Sequence, residues 1–160
     1  MVMVLGLLPV TAWAEEAESE TESITVNVTI ANKGELEIAH KAVTVVDQNE
    51  SGTFDIDDAL YAAHKEYYNG ATSGYNSAIG DFGLGIIELW GDTSGSFGYY
   101  VNDGSAWSLT DEVKNGDKVV AFVYKNPDYS DQYSFFNNNK VSIEPKKEVA
   151  LTLSYKYWDK

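Results

Sequence analysis

Residues 57–68 read DDALYAAHKEYY, and their apolar positions follow the period of an α-helix. Asp55 and Asp57 are candidate N-caps, because a carboxylate at this position accepts hydrogen bonds from the free backbone N–H groups of the first turn. The sequence therefore predicts one amphipathic helix over residues 57–68. The apolar side chains that share one face of it are Ile56, Leu60, Ala63 and Tyr67.

Segments typical of β-strands stand on both sides of this helix. Before it, residues 24–30 alternate apolar and polar side chains, and residues 35–46 form a second predicted strand with a break near His40. Residues 71–85 are rich in Gly, Ser and Asn and are predicted to form a long ordered loop. The strands predicted after that loop cover residues 86–90, 97–102, 118–124, 134–137 and 149–157.

One helix among several strands predicts an α+β domain in which the helix packs across one face of a mixed sheet. A β-grasp-like arrangement, in which a mixed sheet wraps a single helix, fits this order of elements best. No internal repeat or shift in composition divides residues 24–160, so we expect them to form a single domain.

The first 14 residues, MVMVLGLLPVTAWA, carry no charge and end in the Ala-Trp-Ala pattern of a cleavage site. They are too few to span a bilayer as a helix, which needs about 20 residues. We interpret residues 1–14 as the remnant of a signal peptide and residues 15–23, EEAESETES, as a disordered acidic leader. The protein is therefore expected to be secreted or displayed at the cell surface, with no membrane span.

Composition narrows the range of partners. The chain has a net charge of −14, no arginine and no cysteine. Because arginine supplies the planar fork that binds phosphate and guanine, nucleic acid is not an expected partner. The lack of cysteine excludes disulfides and thiolate metal sites. An acidic exported protein points instead to cations, glycans, small ligands or protein partners at the cell surface.

Residues 47–58 read DQNESGTFDIDD and match the spacing of a twelve-residue EF-hand calcium loop. Gly52 occupies the sixth position, where such a loop turns sharply. Ca²⁺ prefers six to eight hard oxygen ligands, and alternating oxygen donors around a glycine turn can wrap one ion. The predicted metal ligands are Asp47, Asn49, Ser51, Thr53 through its carbonyl, Asp55 and Asp58.

Two features of this loop depart from the EF-hand pattern. Asp58 replaces the usual glutamate at the twelfth position, and the entering element is a predicted strand rather than a helix. An acidic turn that only caps the helix remains the alternative interpretation, although capping does not require oxygen donors at Asp47, Asn49 and Ser51.

No motif for catalysis stands out. His40 and His64 lack the spacing of a zinc site, and no serine lies in a G-x-S-x-G turn, so we expect no enzyme activity. Aromatic side chains beside Asn and Asp suit stacking on sugars or flat ligands, although most of them are expected in the core. The predicted ligand-binding residues are Tyr100, Asn102 and Trp107.

Three stretches resemble a bacterial family of extracellular modules related to the C-terminal domain of transcobalamin. They read DDALYAAHKEYY, LWGDTSGSFGYYVNDGSAWSL and VKNGDKVVAFVY, and they lie within residues 57–124. A strand-borne aromatic pair before an asparagine, here Tyr99, Tyr100 and Asn102, and a Gly-Asp turn carry the resemblance. It implies a β-grasp-like domain that contacts a ligand or a protein. In transcobalamin this domain closes over cobalamin together with a much larger helical domain. The sequence of 160 residues has no counterpart of that helical domain, so the resemblance does not extend to cobalamin binding.

The sequence as a whole predicts a non-catalytic secreted or cell-surface binding module with a structural Ca²⁺ loop. Two alternatives are a structural or adhesive surface domain without a small ligand, and a hydrolase that acts on glycans.

Overall fold

The computed structural model describes residues 22–69, 73–138 and 140–157. The signal peptide predicted for residues 1–14 lies outside this part of the chain, as does the acidic leader except for Glu22 and Ser23. In chain order the elements are β1 (Ser23–Asn32), β2 (Glu35–Val46), α1 (Ile56–Tyr67), β3 (Tyr75–Gly80), β4 (Gly83–Leu89), β5 (Phe97–Val101), β6 (Gly104–Ser105), β7 (Lys118–Val123), β8 (Gln132–Phe136) and β9 (Leu153–Tyr157).

Five of these strands form one mixed sheet in the order β2-β1-β7-β5-β6. β1 and β7 are parallel neighbours at its centre, and the β1–β2 and β5–β7 pairs are antiparallel. The strands β3–β4 and β8–β9 form two separate two-stranded sheets. One helix with a mixed sheet confirms the predicted α+β class.

The turn between β1 and β2 and the break in β2 agree with the sequence. Lys33 and Gly34 have φ angles of 50° and 87°, as a two-residue hairpin turn requires. His40 has a φ of 48° and donates its N–H to Thr29 Oγ1 at 2.9 Å. The register of β1 against β2 shifts just there, after Val28, so the predicted break is a β-bulge.

The core lies between α1 and one face of the sheet. Val26, Val28 and Ile30 of β1 are fully buried in this core, and so are Ile56, Leu60 and Ala63 of the helix. Burying a side chain of this size contributes about 1.5–3 kcal/mol, so this layer is the main source of stability. Among the described residues, no helix is long and apolar enough to cross a membrane.

The other face of the sheet is partly covered by the β8–β9 hairpin. The ring of Tyr133 stacks on Tyr100 with 4.6 Å between centroids, and its hydroxyl donates to Asp103 Oδ1 at 2.6 Å. The ammonium group of Lys118 lies 2.5 Å from the same carboxylate oxygen, and Lys156 donates to the Asp103 carbonyl. The hairpin is thus held to the sheet by stacked rings and by one carboxylate that takes a hydrogen bond and an ion pair.

Two predictions about the strands were wrong. Residues 71–85 are not one long loop, because Tyr75–Gly80 and the following Gly83–Leu89 pair as an antiparallel hairpin. The last strand begins at Leu153 rather than at residue 149. Its predicted apolar face is exposed, with Leu151 at 45% and Tyr155 at 59% of full exposure.

Gly98 offers a test of how tightly the second face is packed. A Cβ atom at this position would lie 2.4 Å from Cζ of Phe122, whose ring is stacked against Tyr100. We expect Gly98→Ala to lower the free energy of unfolding by about 1–3 kcal/mol, because the ring must move out of its stack. Urea unfolding measures this change.

Gly85→Ala in β4 is the matched control, since a Cβ there meets nothing within 4 Å. Its effect should stay within about 0.5 kcal/mol. Equal effects of the two substitutions would contradict the close packing of Gly98 against Phe122.

Candidate functional site

The loop between β2 and α1 ends in a capping box that starts the helix. Asp55 is the N-cap, and its Oδ1 accepts from the Asp58 N–H at 2.9 Å. In return, Asp58 Oδ2 accepts from the Asp55 N–H at 3.3 Å, and Asp58 Oδ1 accepts from the Gln48 N–H at 2.9 Å. Both carboxylates are nearly buried. They therefore fix the start of the helix and tie the loop to it.

The first half of the loop closes on itself through the remaining predicted ligands. Asp47 accepts from the N–H groups of Ser51 at 2.9 Å and Gly52 at 2.7 Å, one bond to each carboxylate oxygen. The Ser51 hydroxyl donates to the Thr53 carbonyl at 3.0 Å. Asn49 joins the two halves, because its Nδ2 donates to Asp55 Oδ2 at 3.1 Å.

Burial shifts the ionisation of the two capping carboxylates. The pKa of Asp58 is raised from 3.8 to about 6, chiefly by burial; the negative charges of Asp55 and Asp47 contribute to this rise, and hydrogen bonds from backbone N–H groups oppose it. The pKa of Asp55 is also raised, mainly by burial. Because both shifts disfavour the charged forms, a cation beside these groups would favour their ionisation.

The donors of this loop fit a calcium ion in part. All six are oxygen donors, as Ca²⁺ prefers; Asn49 and Ser51 are exposed to solvent and Asp47 is half-buried. Asp55 and Asp58, however, are turned toward backbone N–H groups of the helix start. Within residues 22–69, 73–138 and 140–157, no three His, Cys, Asp or Glu side chains converge as a metal-binding group.

His64, near the other end of α1, is a packed core residue. It is fully buried; its Nδ1 lies 2.7 Å from the Leu60 carbonyl, and its Nε2 accepts from the Trp90 N–H at 3.1 Å. The ring stacks on Tyr75 at 5.0 Å between centroids. Burial lowers the pKa of His64 from 6.5 to about 4, so it is neutral at physiological pH and joins α1 to the end of β4.

An aromatic groove lies at the outer edge of β5. It has a volume of about 680 Å³, and none of the described residues that line it carries a charge. Phe82 is 97% exposed and Trp107 is 90% exposed, whereas the other rings are partly buried. The aromatic groove is defined by Phe82, Phe97, Tyr99, Trp107, Tyr124 and Tyr129.

The three predicted ligand-binding residues have different surroundings. Trp107 projects into solvent at the groove, and its backbone N–H donates to Asp111 Oδ2 at 2.7 Å. Tyr100 reaches the groove wall but is nearly buried under Tyr133. The Asn102 side chain holds the turn after β5, since its Nδ2 donates to Asp117 Oδ1 at 2.8 Å and its Oδ1 accepts from the Lys118 N–H at 2.9 Å.

Phe82, Tyr124 and Tyr129 were not among the predicted ligand-binding residues, yet they line the groove. Phe82 sits in the turn between β3 and β4, a segment that the sequence analysis assigned to a loop. The sequence did contain a signal for Phe82: a large aromatic side chain among the small and polar residues of a turn has little to bury it, and exposed aromatic side chains indicate binding surfaces.

Comparisons of the chain with protein families, with curated proteins and with solved structures found no match. The resemblance to the transcobalamin-related modules therefore stays a prediction.

The opposite pKa shifts of Asp58 and His64 predict a specific pH dependence of stability. In the folded chain Asp58 keeps its proton up to about pH 6, whereas the unfolded chain releases it near 3.8, so this group lowers stability as pH rises through that interval. His64 acts in the opposite sense, because below pH 6.5 the unfolded chain binds a proton that the folded chain refuses until about pH 4. The two contributions offset each other in the wild type.

Asp58→Asn removes one of the two contributions. Relative to the wild type in calcium-free buffer, this variant should gain about 2 kcal/mol of unfolding free energy as pH rises from 3.8 to 6. Urea unfolding at several pH values measures this trend. The substitution also replaces one carboxylate oxygen of Asp58 by an amide nitrogen, but the resulting change in stability does not depend on pH and leaves the trend unaffected. A difference between the two proteins that is independent of pH would contradict the burial of this carboxyl.

Proposed function

We propose that this protein is a non-catalytic binding module of the cell exterior that holds its ligand in the aromatic groove. The observation that carries the proposal is the exposure of Phe82 and Trp107 at one place on the surface. Isolated exposed apolar residues are normal, but large aromatic side chains that border a common depression are typical of binding surfaces. The groove volume of about 680 Å³ falls in the range of about 300–1,000 Å³ that ligand sites occupy.

The chemistry of the groove favours binding over catalysis. Its lining offers aromatic faces, hydroxyl groups and backbone, and no acid, base or nucleophile pair. Aromatic faces contribute affinity to glycans, flat ligands and peptides alike, so all three classes belong to the proposal. A glycan hydrolase would need two carboxylates across a cleft, and the described lining residues provide none.

A β-grasp fold is part of the same proposal. The strand order supports it, since a hairpin, a helix and a later strand that returns parallel to β1 are the elements of a sheet that wraps one helix. The resemblance to transcobalamin-related modules supports a ligand-contacting role for the segment around β5. The signal peptide predicted for residues 1–14 supports placement outside the cell.

The alternative proposal is a structural or adhesive surface domain. Its support is the exposed apolar row near the C-terminal strand, which a protein surface would cover better than a small ligand. The row consists of Val141, Ile143, Val149, Leu151, Leu153 and Tyr155.

Trp107→Ala tests the groove. Because this side chain is 90% exposed, its removal should change the unfolding free energy by no more than about 0.5 kcal/mol. It should weaken binding about tenfold or more to whichever member of a panel of glycans, extended peptides and surface proteins is bound by the wild type. Array binding followed by calorimetry provides the measurement.

Ile79→Ala is the matched control, since Ile79 is 86% exposed in β3 and does not line the groove. Equal loss of binding in both variants, or binding that is insensitive to Trp107→Ala, would refute the groove as the binding site. Binding of the wild type to a surface protein alone, unchanged by Trp107→Ala, would favour the adhesive alternative.

A calcium ion in the loop of residues 47–58 completes the proposal. Its support is the run of oxygen donors around Gly52, which has a φ of 86°, and the raised pKa values of Asp55 and Asp58, chiefly from burial. An ion there would pin the helix to β2, so its role would be structural. The competing interpretation is the self-contained cap that the loop hydrogen bonds already form.

The calcium proposal is tested by thermal unfolding. With a dissociation constant of about 10⁻³ M, typical of extracellular modules, 10 mM Ca²⁺ should raise the Tm by about 5 °C. Equal Mg²⁺ should not, because it demands smaller octahedral sites. Asp47→Asn, which keeps one acceptor but removes the charge, should lose the Ca²⁺ effect. If Ca²⁺ leaves the Tm of the wild type unchanged, the calcium proposal is wrong and the loop serves only as a helix cap.

A further inference from the structure

We propose that the ligand of the aromatic groove is an extended, lysine-bearing peptide that adds as a strand to the open edge of β5. This inference rests on the proposed function, in that it requires the groove to be the binding site. It goes beyond it by naming the class of ligand and the backbone groups that hold it.

The edge of β5 is open over half of its length. The Ser96 carbonyl accepts from the Tyr124 N–H at 2.9 Å, and the Asn102 N–H donates to the Lys118 carbonyl at 2.8 Å. Because alternate residues of an antiparallel strand bond to the same neighbour, the intervening Phe97 and Tyr99 direct their N–H and C=O groups away from β7. On that side β6 has only two residues.

β6 pairs with the last two residues of β5, in the register Tyr100 with Ser105 and Val101 with Gly104. Because Tyr100 bonds to β7, its pair with Ser105 is a non-hydrogen-bonded one, which places the Ala106 N–H opposite the Tyr99 C=O. Phe97 and Tyr99 therefore present two N–H donors, and Phe97 one C=O acceptor, without a partner strand among the described elements. Such an edge is a template for pairing with another extended chain.

The groove runs along this edge rather than across one face of the sheet. Its walls include both Tyr99, which is on the helix side of β5, and Gly98, which is on the other side. Trp107 stands beyond Tyr99, whose hydroxyl donates to the Trp107 carbonyl at 3.5 Å. On the opposite side Tyr124 meets Tyr129 edge to face, with 5.0 Å between centroids.

These two aromatic walls match the alternation of an added strand. Side chains of an extended peptide point alternately to the two faces of the sheet it joins. One set would contact the ring of Tyr99 and the side chain of Trp107, and the other would contact Tyr124 and Tyr129. Main-chain hydrogen bonds would then supply affinity, and the walls would select side chains.

The charge around the groove favours a cationic peptide. Asp111 lies at the Trp107 end of the groove, where its Oδ2 accepts from the Trp107 N–H at 2.7 Å, and its charge adds to burial in raising the pKa of Tyr99. Asp131 lies on the Tyr124 side, where its Oδ2 accepts from the Asn126 N–H at 2.8 Å; burial, then Tyr100 and this carboxylate, raise the pKa of Tyr124. A lysine ammonium group on the peptide would find an aromatic face and a carboxylate together, which is the arrangement that binds organic cations.

The same charge disfavours a second copy of this chain as the occupant. Each copy carries a net charge of −14, so pairing two open edges would bring like charges together. A glycan could stack on the rings, but it would not present the regular alternation of donors and acceptors that Phe97 and Tyr99 face.

The test measures amide hydrogen exchange by NMR on the isotope-labelled full chain. The probe is a blocked heptapeptide of sequence Thr-Lys-Thr-Tyr-Thr-Lys-Thr. The amides of Phe97 and Tyr99 should exchange about tenfold or more slowly when the peptide is bound, because they gain hydrogen-bond partners. The amides of Gly98 and Tyr100 already bond to β7 and should not change. This pair of neighbours is the internal control.

Two changes in the peptide test the backbone and the charge separately. Two versions of the peptide carry N-methyl groups on alternate peptide bonds, one on the odd set and one on the even set. One version should lose binding and the other should keep it, since only one set of N–H groups faces β5. Replacement of both lysines by glutamate should weaken binding about tenfold or more. Methylation that is tolerated in both versions would overturn strand addition.

On the protein side, Asp131→Asn keeps the acceptor for the Asn126 N–H, which lies 2.8 Å from Oδ2, and removes the charge. It should weaken the lysine peptide about threefold to tenfold and leave a serine-substituted peptide unchanged. Glu37→Gln on β2, at the far side of the sheet, should change neither.

The remaining outcomes separate this inference from the proposed function. Glycan binding that is lost in Trp107→Ala, without slower exchange at Phe97 and Tyr99, would overturn the peptide inference and leave the groove as a binding site. If the chain forms concentration-dependent dimers in which the same two amides exchange more slowly, the occupant of the β5 edge is a second copy of the chain and the peptide inference is wrong. Peptide binding unaffected by Trp107→Ala and without protection at β5 would overturn both.

Discussion

The parallel pairing of β1 with β7 is the constraint on which the rest of the fold depends. It joins residues 27–32 to residues 118–123 and is the only parallel pair among the described strands. Parallel neighbours cannot be joined by a tight turn, so the chain must cross over before it can return. The helix, the β3–β4 hairpin and β5 are all contained in that crossover. The helix covers one face of the sheet because the inward side of β1 consists of Val26, Val28 and Ile30, which would otherwise meet water.

The start of the helix shows how this crossover is fixed locally. The chain must turn from the edge strand β2 onto the face of the sheet, and the loop of residues 47–58 makes that turn. Two buried carboxylates, Asp55 and Asp58, satisfy the N–H groups that the turn leaves free. At the far end of the helix, neutral His64 bonds both to the helix and to the Trp90 N–H. Polar groups are therefore placed at both ends of the core, each with a partner, as their burial requires.

Local periodicity was enough to predict most of this fold, and its failures have identifiable causes. β1, β2 and the helix carry regular apolar spacing, and the sequence placed their ends within two residues. β3 and the start of β4 were missed because residues 71–85 are rich in Gly, Ser and Asn. Tertiary contacts hold this hairpin in place, among them the Tyr75 hydroxyl, which donates to Asp57 Oδ1 at 2.5 Å. β9 was predicted too long because an alternating apolar pattern does not show whether a partner strand is present.

The candidate site exposes a second limit of sequence reasoning. Tyr99 and Tyr100 are adjacent, so they point to opposite faces of the sheet, and the sequence alone does not decide which face is open. The groove itself combines residues from the β3–β4 turn, β5, the loop after β6 and the segment after β7. Such a site depends on strand order, which the long-range β1–β7 and β5–β7 pairings determine.

The two edges of the main sheet are treated very differently. The β2 edge has a bulge at His40 and exposed charges at Glu35, Glu37 and Lys41, which are features that discourage pairing with another chain. The β5 edge has neither: its open residues Phe97 and Tyr99 are aromatic, and β6 ends before it covers them. An unprotected edge is a liability in a protein that must stay soluble, and the acidity of this chain already discourages self-pairing. That one edge is blocked and the other left open beside a row of rings argues that the open edge serves recognition.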